Sequence, residues 1–395
     1  MKRYHGLDVH KAFVYLCIQE ETGAILREER LSFGAAWKTY VASLTEDDAV
    51  VLEASTSVFD LYDELAPHAG RVVVAHPAEV RLIAKAHFKS DRLDAQRLAH
   101  LLRLDYLPAV WVPPADIRAL RAVLAQRQAL QQDATRHKNG LHALLHRHGL
   151  VPPMTDLFSQ AGRQWLRDHG SPDPVWKLQV TTHLGLLEAA ETAVQGLDEH
   201  LVGVAHQTLP LLRLMQQAGL DWLGSLILYA AIGDISRFPA AKKLASYVGL
   251  VPDLYQSGSK RRQGGITKAG RSQARWLLVE AARVAIRYDG DLQACYDRIA
   301  AKKGDGVAIV AVARKLVVRV WHIWHEDQNA RPLDVAQWTR KLQRLAWKVG
   351  QENLPQGSRE FIRQTAQNLG VEVSEEQTRG RNAGRHGRAR QPVTA

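Results

Sequence analysis

The sequence predicts an α/β domain at its N-terminus, a mixed sheet with helices on its faces. A long helical, coiled-coil region and a mainly α-helical C-terminal domain follow. Three observations carry this. Short β-branched runs with period-2 alternation interleave with helical patterns up to about residue 104. The segment LPAVWVPPAD, with Pro108, Pro113 and Pro114, then breaks the pattern. Beyond it the apolar residues recur at helical spacing.

The first domain, residues 1–112, reads β-β-β-α-β-α-β-α. Strands are expected near 4–9, 12–20, 24–33, 49–54 and 71–75, and helices near 56–67, 77–86 and 91–104. YHGLDVHKAFVYLCIQE supplies the first two strands, with a turn at Val9 to Lys11, and AVVLEAS forms a later one. In KSDRLDAQRLAHLL, Ser90 is placed to cap the last helix.

Residues 113–218 form the helical region. From Asp116 to about His148 an apolar stripe runs through Leu120, Leu124, Leu130, Leu141 and Leu145. His142 and His146 share a face, but no cysteine or carboxylate pattern accompanies them, so a basic helix face is the expected reading. Gly149 to Pro174 reads as a turn-rich connection. Residues 176–218 return to helix and pair with the first as a coiled hairpin.

Residues 219–350 form the third domain. LGSLILYAAIGDISRF is a buried helix and a turn, and AAKKLASYVGLVP is a helix ended by Gly249 and Pro252. A glycine-rich loop then runs into an apolar helix. Between Gln256 and Arg275 it holds Lys260, Arg261, Arg262, Lys268, Arg271 and Arg275 without one acid. Gly258, Gly264, Gly265 and Gly270 there suit close approach to a phosphate backbone, although the spacing is not that of a P-loop. Residues 351–395 are polar and end in TRGRNAGRHGRAR, which reads as a disordered, nucleic-acid-binding arm. There is no internal repeat.

Composition excludes several classes. A hydrophobic content of 46% supports packed cores rather than disorder. Cys17 and Cys295 form no disulfide or zinc framework, which fits a reducing cytoplasm. The apolar stretch from Val307 is broken by Arg314, Lys315 and Arg319, so no membrane span is expected. The net charge of +11 is uneven: residues 1–112 hold 13 Lys and Arg against 16 Asp and Glu, leaving the remainder at +14. An acidic domain joined to basic ones suits a phosphate-rich polymer.

Within the acidic domain, Asp8, Glu53, Asp91 and Asp94 fall at two strand ends and one helix face, where they can converge. Carboxylates that close repel unless a divalent cation neutralises them, and hard oxygen donors select Mg²⁺ or Mn²⁺. The implied chemistry is two-metal phosphoryl transfer, one ion activating the attacking oxygen and the other stabilising the leaving oxygen. The alternative is that Asp91 and Asp94 merely complement the helix dipole and Glu53 is a surface residue.

GLDVHK, LEAS, SDRLDAQRLA and LASYVGLVPDLYQSGSKRRQGGITKAGRSQARWLL together resemble the DEDD transposases of insertion sequences, the family of Piv-type invertases and bridge-RNA-guided recombinases. The resemblance covers most of residues 1–300. It implies an RNase H-like (RuvC-like) catalytic domain, a helical middle and a serine-bearing transposase domain. Asp8 matches the first acid, Glu53 the second, and Asp91 with Asp94 the closing pair. Ser257 matches the nucleophilic serine, with Ser259 in reserve. Also implied are Mg²⁺ or Mn²⁺, DNA as substrate, a structured noncoding guide RNA, and a dimer or tetramer with composite sites. The setting would be cytoplasmic and nucleoid-associated. One departure stands out: family members carry a glycine-rich hairpin of the type IPGVG before GDISRF, where this chain has MQQAGLDWLGSLILYAAI.

Three other readings compete. A RuvC-like nuclease or resolvase using metal-activated water would not need Ser257. An actin-like kinase would need a glycine in the GLDVHK hairpin that is missing. A non-catalytic nucleic-acid-binding remnant would not need intact acids.

Overall fold

The computed structural model describes residues 2–55, 58–83, 90–169, 174–257, 260–350 and 352–378, with the backbone alone for 254–257 and 260–263. The chain divides into two units, Met1–Pro113 and Pro114–Ala395.

The first unit is built on strands β1 (Arg3–Val9), β2 (Phe13–Glu20) and β3 (Ile25–Ser32), helix α1 (Ala35–Ala42), β4 (Asp48–Glu53), α2 (Val58–Leu65), β5 (Arg71–Ala75), α3 (Pro77–Ile83), α4 (Asp91–Arg103) and the short β6 (Ala109–Val110). The sheet order is β3-β2-β1-β4-β5-β6. β1, β4 and β5 are parallel, and the others join antiparallel. The period of two sorts side chains between two faces. Leu7, Leu16, Val50 and Leu52 are fully buried with Trp37, Tyr40, Leu61 and Leu65 of α1 and α2. Val51, Val73 and Ala75 face Leu98 and Leu102 of α4 on the other side. Each such aliphatic side chain contributes roughly 1.5–3 kcal/mol by leaving water.

Two features of this unit escape the patterning. α1 is anchored by a tertiary contact, the Trp37 indole donating to Glu64 of α2 at 2.5 Å. β6 is only two residues long and exists by pairing with Val74 and Ala75. Of the expected helices 56–67 and 77–86, residues 56, 57 and 84–86 lie outside the described residues.

The second unit comprises α5 (Ala115–Arg147), α6 (Gln160–Asp168), α7 (Pro174–Ala205), α8 (Leu209–Leu214), α9 (Trp222–Ile232), a 3₁₀ turn at Ile235–Arg237, α10 (Ala241–Tyr247), β7 (Pro252–Ser257), β8 (Lys260–Ile266), α11 (Ser272–Ala285), α12 (Gly290–Lys303), α13 (Asp305–His325), α14 (Val335–Val349), α15 (Gly357–Asn368) and α16 (Glu375–Thr378). α5 and α7 pack lengthwise, with Leu141, Leu144 and Leu145 against Trp176, Val180 and Leu184. Leu130 of the expected stripe is only half-buried. α13 is the buried centre of the α8–α13 cluster, through Val312, Leu316 and Val320.

Three expectations are corrected here. The connection 149–174 contains α6, nucleated where the Ser159 hydroxyl accepts from the Gly162 amide and held by burial of Leu166. The glycine-rich loop is a two-stranded antiparallel hairpin, β7 with β8, registered from Pro252↔Ile266 to Ser257↔Lys260. Backbone pairing needs no apolar alternation, so the polar stretch carried no strand signal. The polar segment after 350 is folded through Thr378: Ile362, Ala366 and Leu369 enter a core with Trp338 and Leu342. Three apolar residues at helical spacing suffice because α14 already presents an apolar face to them. The arginine-rich arm from residue 379 lies outside the described residues. Among the described residues no helix is long and apolar enough to cross a membrane.

Candidate active site

The site starts with a glycine. A Cβ on Gly6 of β1 would sit 2.1 Å from the carbonyl oxygen of Ala95 and 2.6 Å from the amide of Ala99, so α4 rests directly on the strand backbone. Ala95 and Ala99 are fully buried there beside Cys17, one helical turn apart on the contact face. Ser90 caps α4, its hydroxyl accepting from the Leu93 amide at 3.3 Å. The close approach carries the first turn of α4, with Asp91, to the end of β1, where Asp8 sits.

The turn leaving β1 adds a residue that sequence reasoning missed. The His10 amide donates to Phe13 at 2.9 Å, and the His10 ring stacks on Phe13 at 4.6 Å. His10 Nε2 thereby lies 3.1 Å from Asp8 Oδ2 and 3.3 Å from Asp91 Oδ2. Its signal was present in GLDVHK, two positions after the aspartate, but a histidine in a tight turn carries no periodicity. Asp8, His10 and Asp91 each offer a ligand atom, all within 4.8 Å of one another. Half-burial pushes the Asp8 carboxyl above its usual range. His10 opposes that shift, while Asp91 and Asp94 add to it. Two carboxylate oxygens and one imidazole nitrogen, in a place where the carboxylates disfavour one another's charge, could hold a divalent cation.

Asp94 is on the same helix face, a quarter exposed, and pairs with Arg97 at 2.9 Å. Glu53 ends β4. Leu7 pairs with Leu52 in parallel register, so Glu53 continues next to Asp8 on the adjacent strand and shares its face of the sheet. The structure thus brings Asp8 and Asp91 together with His10, and holds Glu53 and Asp94 at neighbouring backbone positions outside that group of three.

The other predicted residues belong to the second unit. Ser257 closes β7 and Lys260 opens β8, paired across the hairpin end; their side chains, and those of Arg261 and Arg262, lie outside the described residues, as does Ser259 entirely. Lys268 is exposed, at φ 53°. Arg271 is exposed at the start of α11. Arg275 is turned inward instead, donating to the carbonyls of Ala269 at 2.9 Å and Val248 at 3.3 Å, so it braces the segment between the hairpin and α11. His142 packs its edge on Phe158 rather than joining His146 in a metal group.

A second basic cluster was not anticipated. The last carbonyls of α9 are capped by three side chains: Arg121 donates to Ala230 and Ala231, Arg237 to Ile232, and the Tyr247 hydroxyl to Ala231. Burial, then the neighbouring Arg271, lowers Arg121 to about 10. Arg121 and Arg271 stand far apart in sequence, so only the fold reveals their proximity.

A transposase model of the DEDD, IS110 type matches residues 5–149, and the model of the transposase IS116/IS110/IS902 family matches residues 212–297. The chain is similar to the transposase for insertion sequence element IS1111A of Coxiella burnetii, 26% identical over 336 residues, covering 82% of this chain and 90% of that protein. The transposase for insertion sequence element IS1328 of Yersinia enterocolitica is 24% identical over 323 residues, 80% and 95% of the two chains. The pilin gene-inverting protein of Moraxella bovis is 26% identical over 280 residues, 68% and 76%.

Proposed function

Because the chain belongs to the DEDD transposases of insertion sequences, which cleave and rejoin DNA, we propose that its RNase H-like domain and its β7–β8 hairpin together perform strand exchange with Ser257 as nucleophile. The observation that carries the reading is the meeting of Asp8, His10 and Asp91 where α4 crosses β1. Asp8, Asp91 and His10, with Glu53 and Asp94 alongside, would hold a divalent cation, Mg²⁺ or Mn²⁺, which when bound supplies Lewis-acid activation of phosphoryl oxygens.

The chain's own residues do the rest. The Ser257 oxygen forms a bond to phosphorus as the bond from phosphorus to a deoxyribose oxygen breaks. The serine proton passes to a nearby base and the departing oxygen takes up a proton. The phosphoserine ester conserves the bond, so attack by a second strand's hydroxyl rejoins DNA without an external energy source. Lys260, Arg261, Arg262, Lys268 and Arg271 would hold phosphates around the scissile group and stabilise its charge. In this reading the sites are composite, with acids and serine contributed by different copies of a dimer or tetramer, and a structured noncoding RNA selects the DNA. The nearest competing chemistry, a RuvC-like nuclease delivering water, uses the same acids but keeps no covalent link.

Ser257→Ala separates the two. Cleavage and covalent protein–DNA attachment are both expected to vanish with folding retained, while Ser259→Ala is much milder. Denaturing gels of the wild-type reaction should show protein crosslinked to DNA. Normal recombination by Ser257→Ala, or a DNA-linked peptide mapping elsewhere, would remove Ser257 from the mechanism.

A further inference from the structure

Helix α14, which follows the second family match, presents a basic and aromatic side to solvent. α14 buries Trp338, Leu342, Leu345 and Val349 along one side, and the Trp338 indole donates to Leu212 at 3.0 Å. The opposite side carries Arg340, Arg344 and Trp347, spaced four and three residues apart, which makes one stripe. Trp347 is 81% exposed, the highest exposure among the large aromatic side chains of the described residues. From Val335 to Gln351 the sequence holds four cations and no acid. Among the described residues neither Arg340 nor Arg344 pairs with a carboxylate.

Beside this stripe is a cavity of about 500 Å³, lined by Arg340, Lys341 and Arg344 and, across from them, by Gly219 and Tyr288. Lys341 is fixed in its wall: its ammonium donates to the carbonyls of Met215 and Gln217, 2.8 Å each. Gly219 adopts φ 85°, and a Cβ there would meet the Ala281 carbonyl at 2.2 Å, so the AGLD turn is drawn tight against α11 and forms the facing wall. One acid, Asp221, also lines the cavity, and its carboxylate is committed to the amide of Gly224 at 2.7 Å as the cap of α9.

We propose that this cavity and stripe bind an unpaired stretch of nucleic acid, with phosphates against Arg340, Lys341 and Arg344 and a base stacked on Trp347. A row of cations next to an exposed indole is the arrangement that single strands recognise, because every base has a π-face and every linkage a charge. Duplex hides its base faces and gains only the electrostatic part. The inference rests on the reading that the protein handles nucleic acid, and uses neither the acids of the first unit nor Ser257.

The test is binding without catalysis, on the full chain in EDTA, by fluorescence anisotropy of labelled oligo-dT, oligo-U and a duplex of equal length. Arg340→Gln with Arg344→Gln should weaken single-strand binding on the order of tenfold at low salt and make the log–log salt slope shallower by about 1.4, the share of two phosphates. Trp347→Ala should cost about 5- to 150-fold for single strands and little for duplex, and Trp347→Tyr should restore most of it. The strand that loses more, dT or U, identifies DNA or RNA as the occupant. The proposal is overturned if Lys302→Gln with Lys303→Gln reduces binding equally, if only duplex is affected, or if no oligonucleotide is. Failure of strand exchange in Ser257 variants leaves this result untouched, so the two readings fail separately.

Discussion

The acidic end of the sheet and the basic surfaces of the helical unit solve opposite problems. Asp8 and Asp91 must be held within a few ångströms against their mutual repulsion, with His10 pairing to both, and every one of the three is tied to a rigid element: the end of β1, its turn, and the first turn of a helix that lies on Gly6. Arg271 at the start of α11 and Arg340 and Arg344 of α14 sit on exposed faces, which is enough for cations that would answer to a polymer presenting a charge at every step. Dense charge of one sign in a small volume demands backbone precision. Spread charge demands only a surface.

The largest effects should therefore fall on the acids. Asp8→Asn should lower strand cleavage by about 10³-fold or more while leaving nucleic-acid affinity within about twofold, because it removes a donor without touching the cations. His10→Ala should cost less, about 10- to 100-fold, and raise the Mg²⁺ concentration needed for half-maximal cleavage. Near-native cleavage by both variants would dissolve the contrast.

Gly6→Ala probes the support instead of the donors. The new methyl must push α4 off β1, which should destabilise the first unit by roughly 1–3 kcal/mol in denaturant titrations and depress cleavage even in molecules that stay folded. Unchanged stability with full activity would mean that the closeness of strand and helix is incidental.

The last test separates site from scaffold. On the face of the sheet away from α4, His5 is bonded to Asp48 at 3.1 Å and to the Tyr40 hydroxyl at 3.0 Å, and burial lowers it to about 4. Burial works against the Asp48 charge, but Arg3 and the Thr45 amide hold its carboxyl below the usual range. Both groups favour the deprotonated form when folded. Their stabilisation is present above pH 6.5 and is lost as pH falls, His5 contributing up to about 3 kcal/mol between pH 6.5 and 4 at about 1.4 kcal/mol per pH unit. His5→Gln should flatten that decline, read by hydrogen exchange of β1 and β4. An identical pH profile in the variant would show that His5 is not the group responsible.

Much of the first unit was legible in the chain. The runs of Val, Leu and Ile place β1, β2, β4 and β5 within a residue or two of their observed bounds, because alternating burial on a sheet forces alternation in sequence. The Ser90 cap and the i, i+3 spacing of Asp91 and Asp94 likewise follow from local helix geometry alone. The long helix from residue 115 was equally plain, since 33 residues of one period leave little alternative.

What the chain could not reveal is proximity between residues that no local rule connects. His10 joins Asp8 and Asp91 only because α4 lies on Gly6, and Arg121 nears Arg271 only through the end of α9. β7 and β8 pair through backbone hydrogen bonds that any polar sequence can make. α15 looked like the start of a tail until α14 supplied the apolar face that orders it. Sequence by itself determined the elements whose hydrophobic period matches their burial. Only the tertiary structure decided which charges meet, because that depends on how closely two elements approach, and a glycine or a pair of alanines at the contact leaves no period to read.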